Sequence, residues 1–491
     1  MTLADLLFAP RYGYESDEAL VYAGDEEMTY AELVERAGNV RDGLRDGGFV
    51  RGQSVAVMLP NDADTIATIF GVWAAGGVYV PLNPRMTDDE VTRVLSMIPV
   101  ALVITTDEER SRLGTIAASL DQPYEGFRVD VTARAQSEDV ALVQMTSGTT
   151  GPPKPVLLTH SSVLALLDGV LGKVRGQGTR KRSSTPNLIP VSLSLWAGIY
   201  NVCFAFRVGA PVVLMNRFEP VEFAALVADY GVKSVVLPPA ALAMLCDSAE
   251  IDTLAPLEWV RSITAPLSPF LARRFHEKFG IGVLNSYGQT ELGGEIVGWN
   301  AADWRAWGTK KLGSVGRPHA GVEVRAVDGE LQVRTSDAHP GYADPEMTLD
   351  DRLTADGWFR TGDLGHVDDE DFVWVEGRVS EQINRGGMKV IPSEVEEVLA
   401  GAVGVREAAI VGATDERLGE VPVAFIVPQN SKRPPSSDEL EAHCREHLGP
   451  WKVPVRFETL DALPRNEVGK VLKGRLFEIA RSLHTKMSDD Q

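Results

Sequence analysis

The sequence predicts an α/β fold with a second, smaller domain, and three observations carry that prediction. The 491 residues exceed one ordinary hydrophobic core, so two or more domains are expected. Short β-branched runs alternate with helical patterns over the first three-quarters of the chain, which is typical of layered, largely parallel sheets. Near Val322 the pattern changes, and hairpin and turn signals replace the alternation.

The alternation is clearest between residues 54 and 83. The run SVAVMLP at 54–60 predicts a buried strand, the stretch at 63–76 predicts a helix ending at a glycine, and VYVPLN at 78–83 predicts the next strand. The runs ALVITT, ALVQMT, APVVLM and VKSVVLP repeat the strand type. Loops that follow such strands are where open α/β sheets usually place ligands.

The C-terminal part has a different character. Asp328-Gly329 lies between two alternating runs and predicts a hairpin. From about Glu381 helical and strand patterns mix, which indicates a separate small α+β domain of about a hundred residues. The basic run at 173–182 is interpreted as a solvated loop, with a contact to an anionic partner as the alternative.

Composition and charge limit the classes of function. Apolar residues make up 44% and charged residues 24%, as in an ordinary globular protein. The net charge of -21 disfavours nucleic acid as a partner but allows an anionic small ligand in a local positive pocket. Three widely spaced cysteines, no signal-peptide pattern and no membrane-spanning run together predict a cytoplasmic protein.

The run MTSGTTGPPKPV, residues 145–156, predicts a phosphate-binding loop. Its backbone amides and hydroxyls are donors without obvious partners, and a lysine adds a positive charge. It is not a Walker A loop, because Pro153 and Pro155 flank the lysine. The candidate phosphate ligands are Thr146, Ser147, Gly148, Thr149, Thr150, Gly151 and Lys154.

Further motifs follow in a fixed order, and together they resemble the adenylate-forming superfamily of acyl-CoA synthetases, peptide-synthetase adenylation domains and luciferases. The sequence is closest in character to the acyl-CoA synthetases. The motifs that carry the resemblance are TSGTTGPPK, TYAEL from Thr29, AAGGVYVPLNP from Ala74, NSYGQTE at 285–291, GELQV at 329–333, WFRTGDL at 358–364, GRVSEQINRGGMKVIPSEVE at 377–396 and PRNEVGKVLKGRL at 464–476.

The resemblance implies an architecture and a chemistry. The fold would comprise two layered α/β subdomains and a small β-barrel-like subdomain in an N-terminal domain, 1–379. A mobile α+β domain, 380–491, would follow. The reaction would join a carboxylic acid to the α-phosphate of ATP, releasing pyrophosphate, and then transfer the acyl group to coenzyme A. Such a site must supply cations and hydrogen-bond donors, because negative charge gathers on the phosphate oxygens.

The resemblance also assigns roles to individual residues. Lys470 would bridge the carboxylate and the α-phosphate, Thr290 would donate to that phosphate, and Glu291 would hold Mg²⁺. Taken alone, Asp363 would suit a turn and Lys470 a solvated surface, so these roles depend on the surrounding motifs. The nucleoside would be bound by Ala265, Pro266, Tyr287, Gly288, Asp363 and Arg378, with Gly387 lining a thiol tunnel and Ser380 forming the hinge.

The acid pocket departs from the family pattern. Ser192 and Leu193 stand where relatives often carry an aromatic-histidine pair, and the aspartate that would bind an α-amino group is absent from 189–198. An apolar and bulky organic acid is therefore expected, with small glycines facing an apolar wall. The candidate pocket residues are Ser192, Leu193, Trp196, Tyr200, Leu237, Ile263, Gly293 and Gly294.

Two alternatives stay open. One is an acyl-AMP ligase that loads the phosphopantetheine arm of a carrier protein, although no carrier domain is recognised after Leu476. The other is a nucleotide-binding homologue without catalysis, which the proline after Lys154 and the altered pocket would suit. The presence of Lys470, Asp363, Glu291 and Arg378 argues against the second alternative.

Overall fold

The computed structural model describes residues 1–113, 117–119, 129–146, 153–175, 182–183, 185–335, 341–344, 346–465 and 469–488. We call 1–379 the body and 380–491 the lid. This division is the one predicted from the sequence, and it falls in a short 3₁₀ turn, Val379–Glu381, between two strands.

Nineteen described strands belong to the body. They are β1 (Ala19–Ala23), β2 (Glu26–Thr29), β3 (Ser54–Met58), β4 (Val78–Pro81), β5 (Val100–Thr105), β6 (Ala117–Ser119), β7 (Val140–Met145), β8 (Pro155–Thr159), β9 (Asn187–Ile189), β10 (Val212–Leu214), β11 (Ser234–Leu237), β12 (Trp259–Ser262), β13 (Gly282–Gln289), β14 (Gly294–Gly298), β15 (Ser314–Pro318), β16 (Val322–Val327), β17 (Glu330–Thr335), β18 (Phe359–Val367) and β19 (Val373–Arg378).

The helices of the body pack against these strands. They are α1 (Asp5–Phe8), α2 (Tyr30–Asp46), α3 (Ala63–Ala75), α4 (Asp88–Met97), α5 (Asp107–Leu113), α6 (His160–Arg175), α7 (Trp196–Val208), α8 (Pro220–Asp229), α9 (Pro239–Asp247), α10 (Pro269–Phe279) and α11 (Ala301–Trp307). None of the described helices, here or in the lid, combines the length and apolar character that crossing a bilayer requires.

The first large sheet confirms the predicted α/β layering. Its order is β6-β5-β3-β4-β7-β8, parallel except for the antiparallel last strand. Every residue of β3 is buried, as expected for a strand covered on both faces. Helix α3 follows it: the Asp62 carboxylate accepts from the Thr65 amide at 2.9 Å, and Gly76, at φ 81°, ends the helix.

The second large sheet begins with three parallel strands and then becomes antiparallel. Its order is β11-β12-β13-β14-β15-β19-β18-β17-β16. The predicted hairpin is present, with Asp328 and Gly329 at φ 52° and 82° between β16 and β17. The expectation of a barrel-like subdomain needs correction, because β14–β19 extend an open sheet and close no barrel among the described residues. A smaller sheet, β2-β1-β10-β9, completes the body.

The lid has a sheet and a hydrophobic core of its own. The long hairpin β22–β23 forms its centre, and helices cover it on both sides. Its elements are β20 (Ile383–Arg385), β21 (Met388–Val390), α12 (Pro392–Ala400), β22 (Val405–Asp415), β23 (Gly419–Pro428), α13 (Ser437–His447), β24 (Arg456–Thr459) and α14 (Lys473–Ser488).

Candidate functional site

A cleft of about 2090 Å³ lies between the body and the lid. The ends of β12 and β13 and the strands β18 and β19 line it from the body. The lid contributes α12 and the turn that carries Lys470. The cleft therefore meets the carboxyl ends of parallel strands, the position at which α/β sheets usually bind ligands.

Asp363 is the best-enclosed charge in the cleft. It is 3% exposed, and the register of β18 against β19 places it opposite Arg378, whose Nε lies 2.8 Å from Oδ1. Its other oxygen, Oδ2, accepts from Tyr287 Oη and from Gln289 Nε2, each at 2.6 Å. A carboxylate has about four acceptor positions, so this pattern holds the group still and leaves capacity for a ligand.

Burial, followed by the neighbouring Asp363 charge, raises the pKa of Tyr287 well above its ordinary value. The phenol is therefore a donor throughout the physiological pH range. Its hydrogen bond fixes the ring beside Asp363, where sequence analysis expects adenine and ribose to lie together.

Gln289 and Arg352 are site residues that sequence analysis did not single out. Arg352 Nη2 donates to Gln289 Oε1 at 3.2 Å and to the Thr361 carbonyl at 2.6 Å. Its Nη1 lies 3.4 Å from Glu291 Oε1. Gln289 stands inside the motif NSYGQTE and could have been named from it, whereas Arg352 lies outside every motif and the sequence carries no signal for it.

Glu291 faces the same cleft with its side chain 13% exposed. A carboxylate is the ligand type that Mg²⁺ prefers, and the adjacent Thr290 hydroxyl also lines the cleft, so the residues present suit that ion. A separate group of potential ligands, His443, Glu446 and His447, lies on α13 outside the cleft.

Lys470 of the lid reaches the same cluster. Burial, followed by the nearby Arg378 charge, lowers the pKa of Lys470, while Asp363 and Glu291 act in the opposite direction. The turn that carries it lies against α9: a Cβ added to Gly469 would come within 3.3 Å of Ala240 Cβ. The lid thus brings its lysine to the body's charged groups in this structure.

The predicted phosphate loop is described only at its two ends. Residues 147–151, which include Ser147, Gly148, Thr149, Thr150 and Gly151, lie outside the described residues. The Thr146 amide donates to the Lys154 carbonyl at 2.9 Å, and the Lys154 amide donates to Thr146 Oγ1 at 3.0 Å. These bonds bring both ends of the loop together at the cleft, which both residues line.

Pro155 takes the first position of β8, opposite Met145 of β7. Its carbonyl accepts from the Ala343 amide at 2.8 Å. A proline at the start of a strand costs no internal ladder bond. The fold therefore accommodates this proline.

The wall expected to face adenine contains a strained turn. Ala265 and Pro266 line the cleft, and Thr264 before them has a φ of 78°, which non-glycine residues rarely adopt. Gly288 lines the same cleft, and a Cβ there would lie 1.7 Å from the Gly294 carbonyl oxygen. Glycine at 288 is therefore required for β13 and β14 to pair.

The acid end of the cleft differs from expectation. Trp196 Nε1 donates to the Gly293 carbonyl at 3.1 Å, and a Cβ on Gly294 would lie only 3.1 Å from that same nitrogen. Trp196 therefore fills the space beside Gly294, whereas a Cβ on Gly293 would meet no atom within 4 Å. Trp196, Tyr200, Ile263 and Gly294 do line the cleft.

Two predicted pocket residues lie in the hydrophobic core instead. Leu193 is 1% exposed and Leu237 is 0% exposed, so both support the wall from behind. The Ser192 hydroxyl lies 2.8 Å from that of Ser194, and of these two serines the latter lines the cleft. The sequence pattern of a buried strand, or of the first turn of a helix, does not indicate which of two neighbouring residues faces the cleft.

Polar residues that sequence analysis missed stand at the same end. Arg261 Nη1 lies 2.5 Å from Glu295 Oε1, with side-chain exposures of 16% and 12%. His319 Nε2 lies 2.9 Å from the same oxygen. Burial alone would raise the pKa of Glu295, but Arg261 and the bond from His319 outweigh it and lower the pKa to about 2. The sequence does carry a signal for two of these residues: Arg261 in β12 and Glu295 in β14 are each the single charged residue of a largely apolar strand.

The hinge and thiol-tunnel candidates lie at the lid's edge. Ser380 is exposed in the Val379–Glu381 turn. Gly387 is exposed at the tip of the β20–β21 hairpin, at φ 86°, and does not line the cleft. It therefore stands apart from Lys470 in this arrangement of the lid.

Comparison with known proteins finds relatives that match almost the whole chain. The models of the AMP-binding enzyme family and of its C-terminal domain match residues 9–342 and 394–470. A feruloyl-CoA synthase of an Amycolatopsis species is 30% identical, covering 92% of this chain and 94% of that protein. A sulfoacetate–CoA ligase of Cupriavidus necator is also 30% identical, with 98% of each covered.

Solved structures extend the match to three dimensions. The o-succinylbenzoate CoA synthetase of Bacillus subtilis, in complex with its acyl-adenylate intermediate, superposes with a TM-score of 0.83 at 26% identity, covering 96% of this chain and 97% of that one. The ordered motifs, the charged cleft and these matches lead to one conclusion: the chain belongs to the AMP-binding enzyme family of adenylate-forming enzymes.

Proposed function

We propose that this protein is an ATP-dependent carboxylic acid:CoA ligase that forms an acyl-AMP and pyrophosphate, then an acyl-CoA thioester. The observation that carries the proposal is the meeting of Lys470 from the lid with Asp363, Arg378 and Glu291 from the body in one cleft. Two cations and two carboxylates in this arrangement suit a nucleotide better than an apolar ligand.

Each group has a task in the proposed reaction. Asp363 accepts hydrogen bonds from the ribose hydroxyls, and Tyr287, held by that carboxylate, stacks on adenine. Arg378 contacts the ribose and the phosphates. Lys470 contacts the acid's carboxylate and the α-phosphate, so that two anions can approach each other. Mg²⁺, bound through Glu291, would offset negative charge on the leaving pyrophosphate.

The second half of the reaction requires the lid to move. With Lys470 in the cleft, Gly387 lies outside it. We propose that a rotation near Ser380 withdraws the lysine after adenylation and brings Gly387 toward the adenylate, where its missing side chain leaves a path for the CoA thiol. A short turn between strands can absorb such a change in backbone angles.

The proposed acid has an apolar body that packs against Trp196 and Ile263. The relatives named above act on acids as different as ferulate and sulfoacetate, so the pocket itself must guide the choice. The three cysteines are free and buried, which suits the cytoplasm as the working compartment.

The test is to incubate the protein with ATP, Mg²⁺ and a panel of carboxylic acids, with and without CoA. Pyrophosphate release and mass spectrometry of the products distinguish the outcomes. We expect acyl-AMP without CoA and acyl-CoA with it. Acyl-AMP that persists in the presence of CoA but disappears with a phosphopantetheine-bearing carrier protein would replace this proposal by carrier loading. No adenylate with any acid would favour a homologue without catalysis.

A further inference from the structure

The Tyr200 hydroxyl is buried at the acid end of the cleft and has no hydrogen-bond partner among the described residues. Leaving a buried polar group unpaired is destabilising, and a phenylalanine would not carry this cost. The ring itself is held by edge contacts, with its centroid 5.7 Å from that of Trp196 and 6.3 Å from that of Phe204. The hydroxyl has no task in the adenylation chemistry derived above.

Two charges stand close enough to influence this hydroxyl. Burial raises the pKa of Tyr200, with Glu295 adding to the shift and Arg261 opposing it, so the phenol keeps its proton. Arg261 donates to Glu295 through Nη1, and a guanidinium has five N–H donors. Tyr200 and Arg261, which both carry hydrogen-bond donors, line this end of the cleft.

The charge balance selects the kind of ligand group. Glu295 is ionised and pairs with Arg261, so the two cancel. An added carboxylate or sulfonate would have to sit beside Glu295, and an added ammonium would sit beside Arg261, so either charge meets repulsion. A neutral oxygen meets neither penalty and satisfies the donors.

Lys470 and Tyr200 line the same cleft but have different charged neighbours. Arg378, Asp363 and Glu291 act on Lys470, whereas Glu295 and Arg261 act on Tyr200, so the two residues stand at different parts of the cleft. An acid whose carboxylate lies at Lys470 would reach this end of the pocket with its far side. The polar group it meets there belongs on the part of the acid remote from the carboxylate.

We propose, building on the ligase function above, that the acid carries a neutral hydrogen-bond acceptor, such as a hydroxyl, ether or ketone oxygen, at the end remote from its carboxylate, and that Tyr200 Oη donates to it. Tyr200 is in this view a specificity-determining residue. Arg261 is positioned by Glu295 to donate to the same oxygen.

The experiment compares Tyr200→Phe with the wild type on matched pairs of aryl acids that differ only in a hydroxyl or methoxy group at the far end of the ring. For each acid, kcat/KM is measured by pyrophosphate release. The wild type is expected to prefer the oxygen-bearing acid by about tenfold or more, and Tyr200→Phe to lose that preference while it keeps its rate on the acid without the oxygen. Tyr230→Phe, outside the cleft, is the matched control and retains the preference.

The same preference in Tyr200→Phe and in the wild type would overturn the proposal, as would a wild type that favours the acids without oxygen. Calorimetric binding of the same acid pairs in the presence of a non-hydrolysable ATP analogue gives a second readout. Binding of neither acid to the wild type would also overturn it. Active adenylation without a Tyr200-dependent preference rejects this inference alone, whereas failure to release pyrophosphate with any acid rejects the ligase function.

Discussion

The two ends of the cleft are built in opposite ways. At the nucleotide end, charged groups from the body and the lid converge and surround Asp363. At the acid end, Arg261, Glu295 and His319 largely satisfy one another, and the Tyr200 hydroxyl is left over. The first end suits a highly charged ligand, and the second, on our proposal, selects the acid through one neutral hydrogen bond.

The largest expected effect belongs to the lysine that the lid brings to the nucleotide end. Lys470→Ala should lower adenylation about 100- to 1000-fold, comparable to the loss of one transition-state donor. Pyrophosphate release under saturating ATP measures it. Lys432→Ala, on an exposed loop of the lid, should leave the rate unchanged. Equal rates for Lys470→Ala and the wild type would contradict a catalytic role for Lys470 at the nucleotide end.

Breaking the buried Arg261–Glu295 pair at the acid end should lower the stability of the protein more than its catalytic rate. Glu295→Gln leaves Arg261 unpaired and should lower the free energy of unfolding by about 3 kcal/mol at pH 7, as when one partner of a buried ion pair is removed. Denaturant unfolding measures it. Glu323→Gln breaks the exposed pair with Arg334 and should cost about 0–1 kcal/mol.

The pH dependence of that difference follows from the Glu295 pKa. Because the folded-state pKa of about 2 lies below the ordinary value of 4.5, the contribution of Glu295 is fully present above pH 4.5. It is lost as the pH falls through 2. The stability difference between the wild type and Glu295→Gln should therefore shrink over this interval, and a difference that is constant with pH would contradict an ionised Glu295.

Asp363→Asn tests the anchor of the nucleotide end. The amide keeps the shape but removes the charge that Arg378 and Tyr287 contact, and hydrogen bonds to charged groups contribute about 1.5–3 kcal/mol. We expect the KM for ATP to rise at least about tenfold, with a smaller effect on the KM for the acid. Asp356→Asn, an exposed matched change, should leave both constants as they are. A larger rise in the KM for the acid than in the KM for ATP would contradict the placement of Asp363 at the nucleotide end.

The smallest effect is expected at Arg352, a positioning residue. Arg352→Gln removes a positive charge near Glu291, so the Mg²⁺ concentration for half-maximal rate should fall about fivefold while the KM for ATP rises. Titration of the rate with Mg²⁺ at fixed ATP separates this from a loss of stability, which would not lower the Mg²⁺ requirement. Arg352→Lys should restore the wild-type requirement in large part.

The same contrast explains what sequence could predict. The alternating runs predicted β3, α3 and β4 to within a few residues, because buried strands and capped helices have strong local signals. At the nucleotide end, short motifs carry several contacting residues at once, as NSYGQTE carries Tyr287 and Gln289. These positions could therefore be named before their neighbours were known.

The acid end could not be predicted in this way. Its residues come from separate segments, and each segment alone allows several faces. Leu193 and Leu237 were expected in the pocket and are buried in the core, while Arg261 and Glu295, within apolar strands, were overlooked. The packing of Trp196 against Gly294 shows that the space beside this glycine is taken. This contact joins residues that are far apart in the sequence, so no local sequence pattern predicts it.

The contact between Gly469 and Ala240 bears on how readily the enzyme turns over. At this point the lid and the body approach each other through a bare backbone and a single methyl group, which form neither a charge pair nor a hydrogen bond with each other. Burying so little apolar surface stabilises the touch by less than about 1 kcal/mol. Under the proposed rotation of the lid, this point would offer little resistance to separation.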